Sequence, residues 1–158
     1  MWSQNQKISM KSNYKNNLQL IGKNQEDLQI ISTYLQDSIV TVKDMVFLKK
    51  NRTFIIIANR FMWENLEKDV FKKNKRTRCA IKFEEVLGVK SKNINQKNNE
   101  KNLECLAIES PLINEHGYEI NIFFAGDSTI TIIVEAIEVL MRDIGKPWIV
   151  KHAPMHRI

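Results

Sequence analysis

Few residues of this 158-residue chain have the types and spacing that catalysis requires. His152 and His156 are four apart and could share a metal ion on a helix, but Pro154 lies between them and no third ligand is near. Glu84 and Glu85 are neighbours, so in a strand they point to opposite faces and cannot act together. Only five glycines are present, and no phosphate-binding loop or dinucleotide fingerprint occurs. We therefore expect no catalytic residue, no metal site and no cofactor.

The run Asn59–Glu64 contains residue types that recognise partners. Arg60 and Trp63, at the end of an expected strand, could form an exposed recognition patch, since Arg and Trp are enriched at binding hot spots. In the alternative interpretation, Phe61 and Trp63 lie two apart on one face and pack into the core. Arg60 and Glu64 are then solvated. The sequence leaves both interpretations open.

A basic run follows, in which six Lys and Arg side chains between positions 68 and 78 face one acid, Asp69. Beside Arg60 and Trp63, these cations would suit a phosphate backbone with a stacking aromatic nearby. No RNA-recognition signature accompanies the run, and such a run is usually a solvated face. The candidate binding residues are Arg60, Trp63, Lys72, Lys73, Lys75, Arg76 and Arg78.

The charge is distributed unevenly along the chain. Residues 43–101 carry sixteen Lys and Arg against seven Asp and Glu, whereas residues 102–158 carry four against eight. A basic middle region of this kind indicates a polyanion-binding face. The joint abundance of Lys, Asn and Ile is also typical of a low-GC genome, which produces part of the basicity without any function.

The length and the 43% hydrophobic content suit one domain with a substantial core. Residues 1–17 are polar and lack the apolar stretch of a secretory signal, so we expect a disordered tail. Apolar runs such as Phe54–Ala58 are too short to cross a bilayer, and no membrane association is expected. The predicted organisation is a tail at 1–17, one domain at 18–150 and a second tail at 151–158.

Two cysteines, Cys79 and Cys105, lie in separate apolar runs that are typical of strands. Such positions favour buried thiols over a disulfide framework. Free thiols are the rule in a reducing compartment. We therefore expect a cytoplasmic protein.

The elements that must position the candidate residues begin with a helix over residues 25–36. Asn24 is a suitable N-cap, and Asp27 three residues later replaces the Glu or Gln of a capping box. Apolar residues follow at helical spacing, namely Leu28, Ile31 and Leu35. After the helix the pattern becomes β, and strands are predicted over residues 39–48, 53–61, 76–90, 103–109 and 118–125. Glu85 breaks the alternation of the third strand and indicates a bend or bulge.

The stretch 128–148 predicts a strand that continues into a helix without a loop. Residues 130, 132 and 134 follow the strand period. Apolar residues then fall on one helical stripe, namely Ile133, Ala136, Ile137, Leu140, Met141 and Ile144. Gly145 and Pro147 would end that helix.

We therefore predict an α+β fold with about six mostly antiparallel strands, an N-terminal helix and a C-terminal capping helix. This order of elements is the plan of a pleckstrin-homology-like fold. A flat antiparallel sheet covered by both helices is the alternative. Either fold would leave the function to be argued from a site.

Several fragments, in this order along the chain, resemble a family of small alphaproteobacterial proteins known only as domain of unknown function 2948. They are Leu35–Asp37, Asn59–Glu64, Lys75–Arg78, Glu135–Glu138, Asp143–Gly145 and the pair Pro147-Trp148. The resemblance extends over about residues 18–154. It implies a bacterial, cytoplasmic protein and carries no activity or catalytic residue to this chain.

The absence of a catalytic signature and the basic middle region favour a non-enzymatic domain that binds another macromolecule through a basic surface. A protein partner is favoured over RNA. Two alternatives stay open: a small-ligand-binding protein or enzyme with a pocket between sheet and helix, and an RNA-binding module.

Overall fold

The computed structural model describes residues 18–64, 74–110, 113–114 and 117–154. In these ranges the chain forms ten strands, one α-helix and a 3₁₀ turn at Lys49–Asn51. The elements are β1 (Gln19–Gly22), α1 (Gln25–Leu35), β2 (Ile39–Leu48), β3 (Thr53–Phe61), β4 (Lys75–Phe83), β5 (Val86–Lys92), β6 (Asn102–Glu109), β7 (Ile113–Asn114), β8 (Gly117–Phe124), β9 (Ser128–Val134) and β10 (Val139–Ile149). The tail predicted at residues 1–17 lies outside the described residues, as do positions 155–158.

Helix α1 begins as its sequence predicts. The Asn24 side chain accepts a hydrogen bond from the Asp27 N–H at 2.8 Å, and the Asp27 carboxylate accepts one from the Lys23 N–H at 2.8 Å. This arrangement resembles a capping box with Asp in place of Glu, except that the Asp27 carboxylate accepts from Lys23 rather than from the N-cap residue Asn24. The helix buries its predicted apolar stripe, Leu28, Ile31 and Leu35. At 11 residues α1 is too short to cross a bilayer, and the described ranges contain no other helix that could.

The strands form one antiparallel sheet in the order β1-β10-β4-β3-β2-β6-β8-β9-β5, with β7 paired to β8. Two residues separate β4 from β5, and four separate β9 from β10. Because β4 pairs with β10 and β5 pairs with β9, the chain from β4 through β5 acts as one bent strand, and so does the chain from β9 through β10. Since β9 also pairs with β8 and β4 with β3, the sheet closes around its core. Core side chains include Phe54, Phe83, Ile120, Ile132 and Met141.

The bend in these strands is made by two acidic turns that are hydrogen-bonded to each other. The Glu84 N–H donates to the Glu138 carbonyl and the Glu135 N–H donates to the Glu85 carbonyl, both at 2.9 Å. Glu85 has a left-handed φ of 56°. The Arg52 guanidinium lies 2.5 Å from the Glu135 carboxylate and 3.6 Å from that of Glu85. The bend predicted at Glu85 is therefore present.

Two strands leave a gap in the closure of the sheet. Within the described ranges, β1 pairs with β10 alone and β5 pairs with β9 alone, so each has one edge without a neighbouring strand. Helix α1 packs against β1, β3 and β6 and fills the opening beside β1. On the other side, β5 diverges from the β2–β3 hairpin and leaves a cavity of about 410 Å³. The helix therefore completes the core at one opening only.

The predicted C-terminal helix is wrong, because residues 128–149 form β9 and β10. The buried side chains follow a strand period but change parity at the turn: Ile130, Ile132 and Val134 are buried before it, and Ile137, Val139, Met141 and Asp143 after it. The outer-face residues Leu140 and Ile144 are apolar as well. Together, the parity change and the apolar outer face produce spacings of three and four that imitate a helical stripe.

The predicted fold class is therefore wrong. The described residues form a mostly antiparallel sheet with one helix, in place of about six strands and two helices. The pleckstrin-homology-like plan and the flat sheet covered by two helices both require a C-terminal helix that does not form. The predicted 76–90 strand is two strands, β4 and β5, and β7 was not predicted.

Both cysteines are free and buried, as predicted. Cys79 lies on β4 and Cys105 on β6. Burial raises the pKa of each thiol to about 12. At neutral pH both therefore behave as small apolar core residues.

Candidate functional site

The end of β3 carries a buried ion-pair cluster. Arg60 is 0% exposed, and its Nε and Nη2 atoms each lie 2.8 Å from an oxygen of Asp143 on β10. Its Nη1 and Nη2 atoms donate to the two oxygens of Glu64 at 3.0 and 2.7 Å. A fifth, longer contact of 3.4 Å runs from Nη1 to the carbonyl of Phe61. Every N–H of the guanidinium thus has an acceptor.

The charges of this cluster explain why Arg60 tolerates burial. Burial by itself lowers the pKa of Arg60, but the hydrogen bonds to Asp143 and Glu64 outweigh it and the pKa lies above its ordinary value. Asp143 also accepts a hydrogen bond from the Leu18 N–H at 3.2 Å and donates its own N–H to the Leu18 carbonyl at 2.9 Å. The cluster therefore links β3, β10 and the start of β1, which is a structural role. We call Arg60, Asp143 and Glu64 the Arg60 node.

One aromatic ring lies over the Arg60 guanidinium, and two others pack on each other at the end of β3. The Tyr34 ring lies 5.8 Å from the Arg60 guanidinium, within cation–π range. Trp63 is partly buried, its ring meets Phe61 edge-on at 4.6 Å, and its indole N–H donates to the Gln36 carbonyl at 3.0 Å. Phe61 and Trp63 therefore pack on each other, while Arg60 is buried rather than solvated. The two residues expected to form a recognition patch, Arg60 and Trp63, instead contact other parts of the domain where the end of α1 meets the end of β3.

The other predicted binding residues have different surroundings. Arg76 donates to the carbonyls of Asp37 and Asn59 at 3.2 and 3.1 Å, and burial lowers its pKa. Lys75 is partly exposed at the start of β4. The Arg78 side chain is 48% exposed and lies 3.7 Å from Asp44. Lys72 and Lys73 lie outside the described residues.

The described cations consequently do not gather on one basic surface. Arg60 faces the core, Arg76 is held by backbone carbonyls, and Arg78 faces solvent from the outer side of the sheet. The binding role of these residues stays a prediction. Of the predicted binding residues that the structure describes, Arg78 is exposed and Lys75 is partly exposed.

Sequence reasoning missed the outer face of β2, β3, β4 and β10, which is largely apolar. Strand register places Val46 beside Ile55, Ile55 beside Lys82, and Lys82 beside Leu140. Val46 is 46% exposed and its neighbour Leu48 is 41% exposed. We call this surface the outer face; it comprises Val46, Leu48, Ile55, Ile57, Ala80, Leu140 and Ile144, with the cations Arg78, Lys82 and Arg142 among them.

A sequence signal for the outer face did exist. The run Phe54–Ala58 is apolar at every position, where a strand with one solvated face would alternate. Continuous apolar character indicates that both faces of a strand are covered. In this chain the inner face is covered by the core, whereas Ile55 and Ile57 remain partly exposed on the outer face.

A groove with a volume of about 390 Å³ lies between α1 and β6. The small-ligand site that one sequence-based alternative expected between sheet and helix stays a prediction. The Gln25 side chain donates to the Ser110 carbonyl, and the Ser32 hydroxyl accepts from the Ile108 N–H at 2.9 Å. These polar groups fasten the helix to β6. Within the described ranges no group of three His, Cys, Asp or Glu side chains could hold a metal ion.

Comparison with known families matches this chain to a family whose function is unknown. A family model described as protein of unknown function, DUF2948, matches residues 18–156. No curated protein and no solved structure matches the chain. The match covers all of the elements described above, so the buried node and the outer face both lie inside the family's domain.

Proposed function

We propose a function for the chain from the premise that it belongs to the DUF2948 family of proteins of unknown function. In this proposal the chain is a non-enzymatic domain that binds another protein through the outer face. The partner surface is apolar and bears acidic residues. The observation that carries the proposal is the set of exposed and partly exposed apolar side chains that strand register places side by side on β2 and β3, with Leu140 of β10 beyond Lys82 of β4.

Exposed apolar side chains on neighbouring strands favour association. Single exposed apolar residues are ordinary, but a contiguous apolar patch on a sheet face is typical of an interaction surface. Val46 and Leu48 project from β2 next to the partly exposed Ile55 and Ile57 of β3. A sheet holds these side chains in fixed positions, so little conformational entropy is lost on binding.

The cations of the outer face favour an acidic partner. Lys82 lies 2.9 Å from Glu84 and Arg78 lies 3.7 Å from Asp44, whereas Arg142 is exposed with no ion pair among the described residues. A partner carboxylate beside Arg142 would gain a charge-assisted contact at the edge of an apolar interface.

A protein partner fits these observations better than RNA. RNA binding needs exposed cations along a backbone path and aromatics free to stack. Among the predicted residues, Arg60 and Arg76 donate to protein acceptors and the Trp63 indole N–H donates to Gln36. The outer face combines apolar side chains on β2 and β3 with the cations Arg78 and Lys82 on β4, a mixture that suits a protein interface.

Charge-introducing variants on and off the outer face test the proposal. Val46→Asp and Leu48→Asp, at exposed positions, are expected to weaken partner binding at least tenfold, about 1.4 kcal/mol. Leu87→Asp is the matched control, because Leu87 is an exposed leucine (48%) on β5, outside the outer face. Tagged chain and each variant are used to capture partners with nuclease present, and the affinity of the purified partner is then measured.

Each outcome of this experiment decides between named alternatives. Equal binding by the Val46 and Leu87 variants would contradict the outer-face proposal. Capture that nuclease abolishes, together with salt-dependent affinity for generic RNA, would favour an RNA-binding module. A dimeric mass by light scattering that Leu48→Asp converts to monomer would make a second copy of the chain the partner.

A further inference from the structure

The cavity between β5 and the β2–β3 hairpin has a volume of about 410 Å³, and its lining has an apolar part and a basic part. We call it the β5 cavity. Its floor is apolar and consists of Val42, Phe54 and Ile130, all buried. Its walls are partly exposed apolar side chains, among them Phe47 and Val89.

The rim of the β5 cavity is basic. Lys43 and Lys90 line it, and the Lys43 ammonium lies 3.0 Å from the Glu100 carboxylate. Lys90 is exposed and has no ion pair among the described residues. Between positions 90 and 101 the chain carries four lysines and one acid. A positive charge that is not balanced by a protein carboxylate therefore stands beside the apolar floor.

The segment over the β5 cavity is fastened in place, although its Asn- and Lys-rich sequence predicts a loop with little to bury. The Val42 N–H donates to the Lys101 carbonyl at 3.0 Å and the Lys43 N–H to the Asn99 carbonyl at 2.9 Å. The hydroxyl of Ser128 donates to the Asn93 carbonyl at 2.8 Å. The cavity is thus pre-formed, with its roof bonded to β2 and β9.

We propose that the β5 cavity binds a free amphipathic anion, an apolar chain that ends in a carboxylate or phosphate group. The chain lies on Phe54, Phe47 and Ile130, and the anionic group lies at Lys90. The cavity volume of about 410 Å³ falls in the range of small-molecule sites, which are largely apolar with a few polar groups that fix orientation. Removal of the apolar chain from water supplies the affinity, and Lys90 supplies the preference for an anion.

Titration calorimetry on the full chain tests this site, with dodecanoate kept below its micellar concentration. Saturable one-to-one binding of dodecanoate is expected. Dodecyltrimethylammonium and dodecanol, which share the chain length and lack the negative charge, are expected to bind at least tenfold more weakly. A parallel arm with dodecyl phosphate separates the two anionic head groups.

Two variants locate the ligand. Lys90→Glu is expected to weaken dodecanoate binding roughly tenfold, because it reverses the rim charge without touching the floor. Val89→Phe is expected to abolish binding, because it fills the cavity from β5. Lys146→Glu is the matched control, because Lys146 is exposed on β10 and does not line the cavity.

The proposal is overturned by any of three results. They are the absence of saturable dodecanoate binding, equal affinity for the cationic chain, and equal effects of Lys90→Glu and Lys146→Glu. Lys90→Glu replaces an exposed side chain, so retention of its far-ultraviolet circular dichroism verifies that the variant is folded. Because the outer face is formed by other side chains, failure here leaves the proposed protein-binding function standing.

Discussion

Arg60 and Asp143 are 83 positions apart in sequence, yet each supplies the charge that makes the other tolerable inside the protein. A buried guanidinium without its carboxylate would be strongly destabilising. In this chain the pair is bidentate, is joined by Glu64 and lies under the Tyr34 ring. Arg60, one of the candidate binding residues of the sequence analysis, therefore has a structural role in holding β3 to β10.

Asp143→Asn is expected to lower the free energy of unfolding by about 3 kcal/mol, because Arg60 then keeps a single carboxylate in a buried site. Asp44→Asn is the matched control. Asp44 pairs with the half-exposed Arg78 at 3.7 Å, so its loss is expected to be below about 1 kcal/mol. Urea denaturation of both variants measures the difference. Equal losses would show that the Arg60 node does not hold the fold together.

The two buried thiols make stability depend on alkaline pH. Their pKa in the folded chain is about 12, above the ordinary value of 9.0, because burial disfavours the thiolate. Their contribution is complete below pH 9 and is lost as pH rises toward 12, because the unfolded chain releases these protons first. The slope is about 1.4 kcal/mol per pH unit for each thiol.

A Cys79→Ala/Cys105→Ala variant is therefore expected to lose less stability than the parent chain between pH 9 and 11. Denaturant midpoints at several pH values measure this difference. The lysines and tyrosines are common to both proteins, so their effect on the pH dependence of stability cancels in the comparison. Parallel pH profiles would mean that the thiols are already accessible in the folded chain.

At the scale of elements, β10 has several partners. It pairs with β1 on one side and β4 on the other, and its Asp143 reaches Arg60 on β3. Strand alternation places Met141 in the core and Leu140 on the outer face. A helix over the same residues would bury both, so these two side chains distinguish the strand from the predicted helix.

Met141→Ala is expected to cost about 2–5 kcal/mol of unfolding free energy, because the side chain is fully buried. Leu140→Ala is expected to cost about 1 kcal/mol or less, because that side chain is partly exposed on the outer face. Thermal and urea denaturation measure both. Equally large losses would support the helical stripe and contradict the strand.

At the scale of the whole molecule, the elements with local signals were predictable and those with distant partners were not. Helix α1 follows from its Asn24 cap, the β2–β3 hairpin from its polar turn, and the bend at Glu85 from broken alternation. The predicted C-terminal helix failed because a turn between two strands changed the parity of the buried residues. Spacing of apolar residues indicates a helix only when one element extends over the whole stretch, and residues 133–144 contain a turn between two strands.

At the candidate sites, too, residue types were readable from the local sequence, whereas contacts with residues far away in the chain were not. The residue types at Arg60 and Trp63 were informative, but their burial depends on Asp143 and Gln36, which no local pattern connects to them. The β5 cavity exists because β5 pairs with β9 and diverges from β3, a property of topology alone. The outer face was the exception, since the unbroken apolar run of β3 signals it directly.

The pairings of β10 also set the order in which the chain can fold. The hairpin of β2 with β3 joins near neighbours in sequence, whereas the Leu18 N–H reaches an Asp143 oxygen across 125 positions. Until residues 139–149 emerge from the ribosome, β1 and β4 lack their β10 partner and the Arg60 charge lacks Asp143. Contacts between such distant positions make folding slow. Until β10 is made, the edge of β4 lacks its partner strand, and an unpaired strand edge favours self-association.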